Sequence, residues 1–281
     1  MHRSLGHRAA AACFTILALM GAASIASAAT SPPGVNLRWD QCFADNGAFN
    51  KNFACDTNSG AERLVGSFEI DAPLSDVSGM EFTLDLGSVS AAYPAWWQFM
   101  NAGTCRQTSM SMNFVPLGGV SNCADWSAGN ATGGIGAYAS SGSANRFRIT
   151  SAVAVPAAAT ASLSPGQEYF AFNLTVTHLK TVGTGACGGC LEPMCIFFSG
   201  VRIYARSTGA VVADLTRGAN YAGSQYVTWQ QAYPLNIGHT CGGLSGGIGI
   251  CQFQMTNFDC VLATPTESRG STWGQVKSLY R

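Results

Sequence analysis

In five segments between Leu64 and Ala205 apolar residues recur at every second position, and that alternation admits few folds. Met80-Glu81-Phe82-Thr83-Leu84-Asp85-Leu86 sets Met80, Phe82, Leu84 and Leu86 on one face of an extended chain and the polar residues on the other. Leu64 to Ile70, Arg146 to Val155, Tyr169 to Leu179 and Cys195 to Ala205 repeat the pattern, with Gly, Pro, Asn and Ser clusters between them. Helical periods longer than two turns are absent between Pro32 and Pro265. Short alternating strands punctuated by turn residues predict an all-β fold, an antiparallel β-sandwich of jelly-roll or Ig-like form. With 47% hydrophobic residues the chain can fill such a core.

Cysteine is the second constraint. Cys42, Cys55, Cys105, Cys123, Cys187, Cys190, Cys195, Cys241, Cys251 and Cys260 form an even set, which in an exported chain reads as five disulfides. Spacing favours local closures, Cys42 with Cys55 and Cys105 with Cys123. Cys187-Gly-Gly-Cys190 lacks the second CxxC pair of a zinc site and lies in a Gly-rich loop rather than at a helix start. It is therefore expected to be structural, and no metal or cofactor is predicted.

The remaining cysteine, Cys13, falls in a leader. Arg3 and Arg8 precede an apolar stretch from Ala9 to Ala23, and Ala26-Ser27-Ala28 supplies a small-x-small cleavage pattern. Residues 1–28 read as a signal peptide, which makes the protein secreted or cell-surface. Its apolar run is shorter than the roughly 20 residues a spanning helix needs, and no other stretch approaches that length. The whole chain has 15 basic and 15 acidic residues and only 11% charged residues. A neutral balance excludes the basic stripe of a nucleic-acid binder. One domain, 35–262, is expected, followed by a linker and tail over 263–281. Within it 218–258 holds no charged residue and reads as a cross-linked cap.

Segment 64–86, LVGSFEIDAPLSDVSGMEFTLDL, and segment 166–177, GQEYFAFNLTVT, resemble the cohesin and carbohydrate-binding-module type of β-sandwich found in exported bacterial proteins. The first looks like the early strand pair of that group and the second like a later strand. The resemblance implies fold class.

Residues able to carry chemistry are few. Gly243-Leu244-Ser245-Gly246-Gly247 spells G-x-S-x-G, with His239 and Asp259 nearby, yet no helix can leave a serine set among glycines. A serine hydrolase is thus a remote alternative, and the protein is expected not to be an enzyme. Glu69, Asp71, Glu81 and Asp85 alternate onto outer strand faces and read as solvated. Asp56-Thr57-Asn58-Ser59-Gly60 lacks the acid a calcium loop needs at position twelve and reads as an Asx turn. Trp96 and Trp97 are the candidate ligand-facing residues. On a strand they would point to opposite faces, one into the core and the other exposed to stack on a sugar or covered by a loop. Core packing of both is the favoured arrangement, and glycans are the alternative partner.

After Pro265 the chain ends in Ser271-Thr272-Trp273-Gly274-Gln275-Val276-Lys277-Ser278-Leu279-Tyr280-Arg281. This is similar to a W-G-x-V-K-x-x-Y-R ending that recurs in otherwise unlike exported bacterial proteins. Trp273, Val276 and Tyr280 share one helical face, with Lys277 and Arg281 adding charge. Eleven residues are too few to hold a helix alone in water. Trp273, Lys277, Tyr280 and Arg281 are therefore expected to be read by a sorting or attachment partner. The expected function is a non-catalytic structural, adhesive or assembly role outside the cytoplasm.

Overall fold

Each alternating segment becomes a strand in the computed structural model, which describes residues 34–118, 123–215, 224–238 and 257–262. In chain order the first seven strands are β1 (Gly34–Trp39), β2 (Asn50–Lys51), β3 (Ala61–Glu69), β4 (Leu74–Ser88), β5 (Met110–Asn113), β6 (Thr132–Ser140) and β7 (Arg146–Ala154). There follow β8 (Ala161–Leu163), β9 (Tyr169–Thr177), β10 (Met194–Ala205), β11 (Val211–Leu215), β12 (Tyr226–Trp229), β13 (Ala232–Gly238) and β14 (Asn257–Leu262). Two single-turn 3₁₀ helices, Ala95–Trp97 and Ala157–Ala159, are the helical elements among the described residues.

One sheet has the order β1-β3-β9-β5, and the other β2-β12-β10-β4-β7-β6. In the second sheet β11 also pairs with β10, and β8 with β4. Length explains this: β10 has 12 residues and pairs with β12 through its first half and β11 through its second. β13 and β14 form a separate ribbon. Every strand pair is antiparallel except β2 with β12. β3 and β4, consecutive along the chain, lie in different sheets.

The alternating apolar faces meet between the sheets. Met80, Phe82, Leu84 and Leu86 of β4 are all buried, as are Leu64 and Phe68 of β3 and Phe172, Leu174 and Val176 of β9. The Phe82 ring centroid lies 5.6 Å from Phe172 across the layers and 6.0 Å from Phe198 within its own sheet. Burying each such side chain stabilises by roughly 1.5–3 kcal/mol. Gly66 makes room for this contact: a Cβ there would lie 2.3 Å from the Phe172 ring. A glycine inside a strand often marks such a close approach.

Two sequence expectations are corrected on the outer faces. Glu69 and Asp85 are buried rather than solvated, whereas Asp71 and Glu81 are exposed. Asp85 is covered by its strand neighbours. Arg148 of β7 donates to both its oxygens, at 2.7 and 3.1 Å, and the Ser199 hydroxyl of β10 donates to Oδ2. The charge-free stretch is not wholly a cap either. Its described part contributes β12 to the main sheet, with Val227 and Trp229 in the core.

The cross-links run differently from the local closures that spacing suggests. Cys42 joins Cys123, Cys55 joins Cys190, Cys105 joins Cys187 and Cys195 joins Cys260, across 81, 135, 82 and 65 residues. Neither Cys42–Cys55 nor Cys105–Cys123 forms, because sheet pairing brings together loops that are distant in sequence. Cys241, Cys251, the leader 1–28 and the tail 263–281 lie outside the described residues.

Candidate functional site

Three loops converge at one end of the sandwich: 57–60 before β3, 94–109 after β4, and 178–190 between β9 and β10. Pro94 starts the middle loop with its fixed φ of −65°, and the chain then makes one 3₁₀ turn through Trp96 and Trp97. This turn, rather than a strand, decides where the two indoles go. Trp96 is 0% and Trp97 1% exposed, so neither offers the sugar-stacking face considered from sequence. Trp96 stacks on Trp229 at 5.4 Å and donates Nε1–H to the Thr181 hydroxyl at 3.0 Å. Trp97 meets Trp229 edge-on at 5.5 Å.

Arg106 completes the stack. Its guanidinium carbon lies 3.6 Å from the Trp96 ring centroid, and the residue is 1% exposed. Nη1 donates to the Trp96 carbonyl at 2.8 Å and Nη2 to the Thr177 carbonyl, while Nε has no partner among the described residues. No carboxylate pairs with it there. Burial pulls its pKa down to about 9, which still leaves it charged at neutral pH. A buried cation answered by two carbonyls and an aromatic face is retained at a cost in desolvation.

Disulfides and amides fix the loops over this stack. Cys105–Cys187 ties the second loop to the third, and Cys55–Cys190 ties the third to the segment before the first. Asn58 acts as a clasp: Oδ1 accepts from Thr181 N at 2.7 Å and Val182 N at 3.0 Å, and Nδ2 donates to the Val182 carbonyl at 3.0 Å. The turn around it is made by the Thr57 hydroxyl, which accepts from Ser59 N at 3.0 Å, so the expected Asx turn at Asp56 is replaced by a threonine turn. Lys180 sits at φ 60, in the left-handed region, and its Nζ reaches across to the Cys105 carbonyl at 2.7 Å. An open cleft of about 410 Å³ lies between these walls, lined by Asn58, Arg106, Gln107, Thr108, Lys180 and Thr184 among others. None of its lining residues is acidic.

Beside the cleft His178 is held by acceptors on both ring nitrogens. Nδ1 lies 2.7 Å from the Ser59 carbonyl and Nε2 3.1 Å from Glu62 Oε1. Phe53 stacks on the ring at 3.8 Å, and Gly60, at φ 94, has no Cβ to crowd it. Lys51 bridges Glu62 Oε2 at 3.0 Å and Asp40 Oδ2 at 2.7 Å. Burial works against the Lys51 charge, but the two carboxylates outweigh it and raise its pKa. His178 thus has a carboxylate but faces a backbone carbonyl where a triad would need a nucleophilic hydroxyl. Ser245 and His239 lie outside the described residues.

The three clustered cysteines part company: Cys187, Cys190 and Cys195 go to three different partners. Cys42, Cys123 and Glu168 do come together, but the sulfurs are joined, and a disulfide has no thiolate to offer a metal. Glu168 instead accepts from Phe43 N at 3.0 Å, Ala44 N at 2.9 Å and the Ser67 hydroxyl. Burial pushes its pKa up against those bonds. The sequence reading singled out none of Arg106, Glu168 or Lys180, and met Asn58 only within the Asp56–Gly60 turn. Only adjacency to Cys105 could have flagged Arg106.

The fold and this end together define a disulfide-tied, predominantly antiparallel β-sandwich. No family model matches the chain, and no curated protein matches it. Among the described residues no helix is long and apolar enough to cross a membrane.

Proposed function

We propose that the protein is an exported, non-catalytic β-sandwich with a structural, adhesive or assembly role at the cell surface or outside the cell. The observation that carries this reading is the set of four long-range cross-links among the described residues, of the kind that oxidising compartments sustain. The leader pattern over residues 1–28 agrees with it. Kinship with cohesins and carbohydrate-binding modules is part of the same proposal, supported by the all-β sandwich. In this reading the Trp273, Lys277, Tyr280 and Arg281 tail is recognised by a sorting or attachment partner.

The test is expression of the full chain and of a truncation after Thr266 in an exporting bacterium. The full chain should be recovered outside the cytoplasm without residues 1–28. The truncation should accumulate in a different fraction while melting at the same temperature. Cytoplasmic retention with the leader intact overturns export, and a destabilised truncation with unaltered localisation overturns the tail's role. Carbohydrate binding is a second reading, favoured by the cleft rather than by Trp96 or Trp97.

A further inference from the structure

We propose that the cleft between the loops 104–109 and 179–184 binds an acidic saccharide, its carboxylate set toward Lys180 and Arg106. The inference goes beyond the exported role above and is tested on purified protein, so either can fail alone.

Charge is the first argument. The lining carries two cations and no carboxylate. Arg106 has no acidic partner among the described residues, and the one hydrogen bond found for Lys180 Nζ goes to a neutral carbonyl. A low-dielectric wall holding uncompensated positive charge concentrates anions in the cleft beside it. The remaining ammonium donors of Lys180, an exposed residue, are available for a charge-assisted bond.

The polar lining narrows the ligand class. Gln107, Thr108 and Thr184 are exposed, and Asn58 and Thr104 join them around the cleft, so hydroxyls and amides flank the cations. Such groups suit a ligand that both donates and accepts, as sugar hydroxyls do. Leu179, 49% exposed, offers an apolar surface of the kind on which a pyranose C–H face packs. The volume of about 410 Å³ falls within the usual range for small-molecule sites, about 300–1,000 Å³.

Rigidity is the third argument. The Cys105–Cys187 disulfide, the Asn58 clasp and the Cys187 N to Lys180 carbonyl bond at 2.8 Å fix both walls. A preorganised site avoids ordering its loops when ligand arrives. The left-handed backbone at Lys180, unfavourable for a residue with a side chain, is held by the same bonds.

The experiment is titration of the oxidised protein with sodium glucuronate, glucose and sodium sulfate, followed by amide NMR and calorimetry. Glucuronate should bind tightest, with shifts confined to 57–60, 104–109 and 178–187. Lys180→Gln should weaken it about tenfold, as expected for loss of one charge-assisted bond. The exposed position of Lys180 predicts an unchanged melting temperature for that variant, and Gln107→Ala gives a second, milder loss. Glucose or sulfate binding as tightly as glucuronate overturns the proposal. So does absence of shifts at those loops, or full affinity in Lys180→Gln.

Discussion

Replacing Cys55 and Cys190 together by alanine removes the longest cross-link, which spans 135 residues. Taken alone, a loop of that length is worth about 5 kcal/mol in the chain-entropy estimate. The other links reduce this. In the unfolded but oxidised chain the path from Cys55 to Cys190 runs back to Cys42, across to Cys123, back to Cys105 and across to Cys187. That path is about 35 residues, for which the same estimate gives about 4 kcal/mol. Domains of this kind are stable by only about 5–15 kcal/mol, so the variant should remain folded but marginal. Equilibrium unfolding in urea should show the loss as a lower midpoint, and the melting temperature should fall by about 8–15 °C. Peptide mapping without reductant should recover Cys42 with Cys123, Cys55 with Cys190, Cys105 with Cys187 and Cys195 with Cys260. A loss below about 1 kcal/mol, well short of the loop-closure estimate, refutes the reasoning. So does a peptide linking Cys42 to Cys55.

Three other perturbations test the packing and electrostatics. Gly66→Ala drives a Cβ into the buried Phe172 ring and should cost about 1–3 kcal/mol, part of which Phe172→Leu recovers; an unchanged urea midpoint would sink the close-approach argument. Arg148→Met takes the cation away from the 2%-exposed Asp85 side chain and should cost about 3–5 kcal/mol in the same assay. The double variant Asp85→Leu with Arg148→Met should recover most of that loss, and failure to recover it would show that the pair is not the cause. Glu168 titrates above its ordinary value of 4.5 because it is buried, so the folded state holds its proton longer than the unfolded state. Its contribution to stability is therefore fullest below pH 4.5 and declines as pH rises through the folded-state value. Stability measured across that window in wild type and Glu168→Gln should differ by this downward slope, and identical profiles would refute it.

What the residues determine by themselves is local. Period-two alternation placed β3, β4, β7, β9 and β10, since side-chain direction along a strand depends only on neighbouring residues. Met80, Phe82, Leu84 and Leu86 were legible as one buried face for the same reason. Gly-rich β6, TGGIGAYAS, carries no such alternation and left no comparable signal. Partner choice lay beyond reach as well. Nothing near Cys42 in sequence says that Cys123 will lie beside it; sheet order and crossing connections decide that. The outer-face acids show the same division, because Asp85 is buried by Arg148 and Ser199, which other strands deliver. Trp96 and Trp97 were conspicuous in the sequence, but a single 3₁₀ turn and the stack with Trp229 sent both into the core. The cleft owes its cationic character to Arg106 and Lys180, which stand 74 positions apart and meet only because Cys105–Cys187 and the β9–β10 loop bring them together. Alternation is written along the chain, whereas charge balance and enclosure are sums over neighbours that only the folded topology supplies.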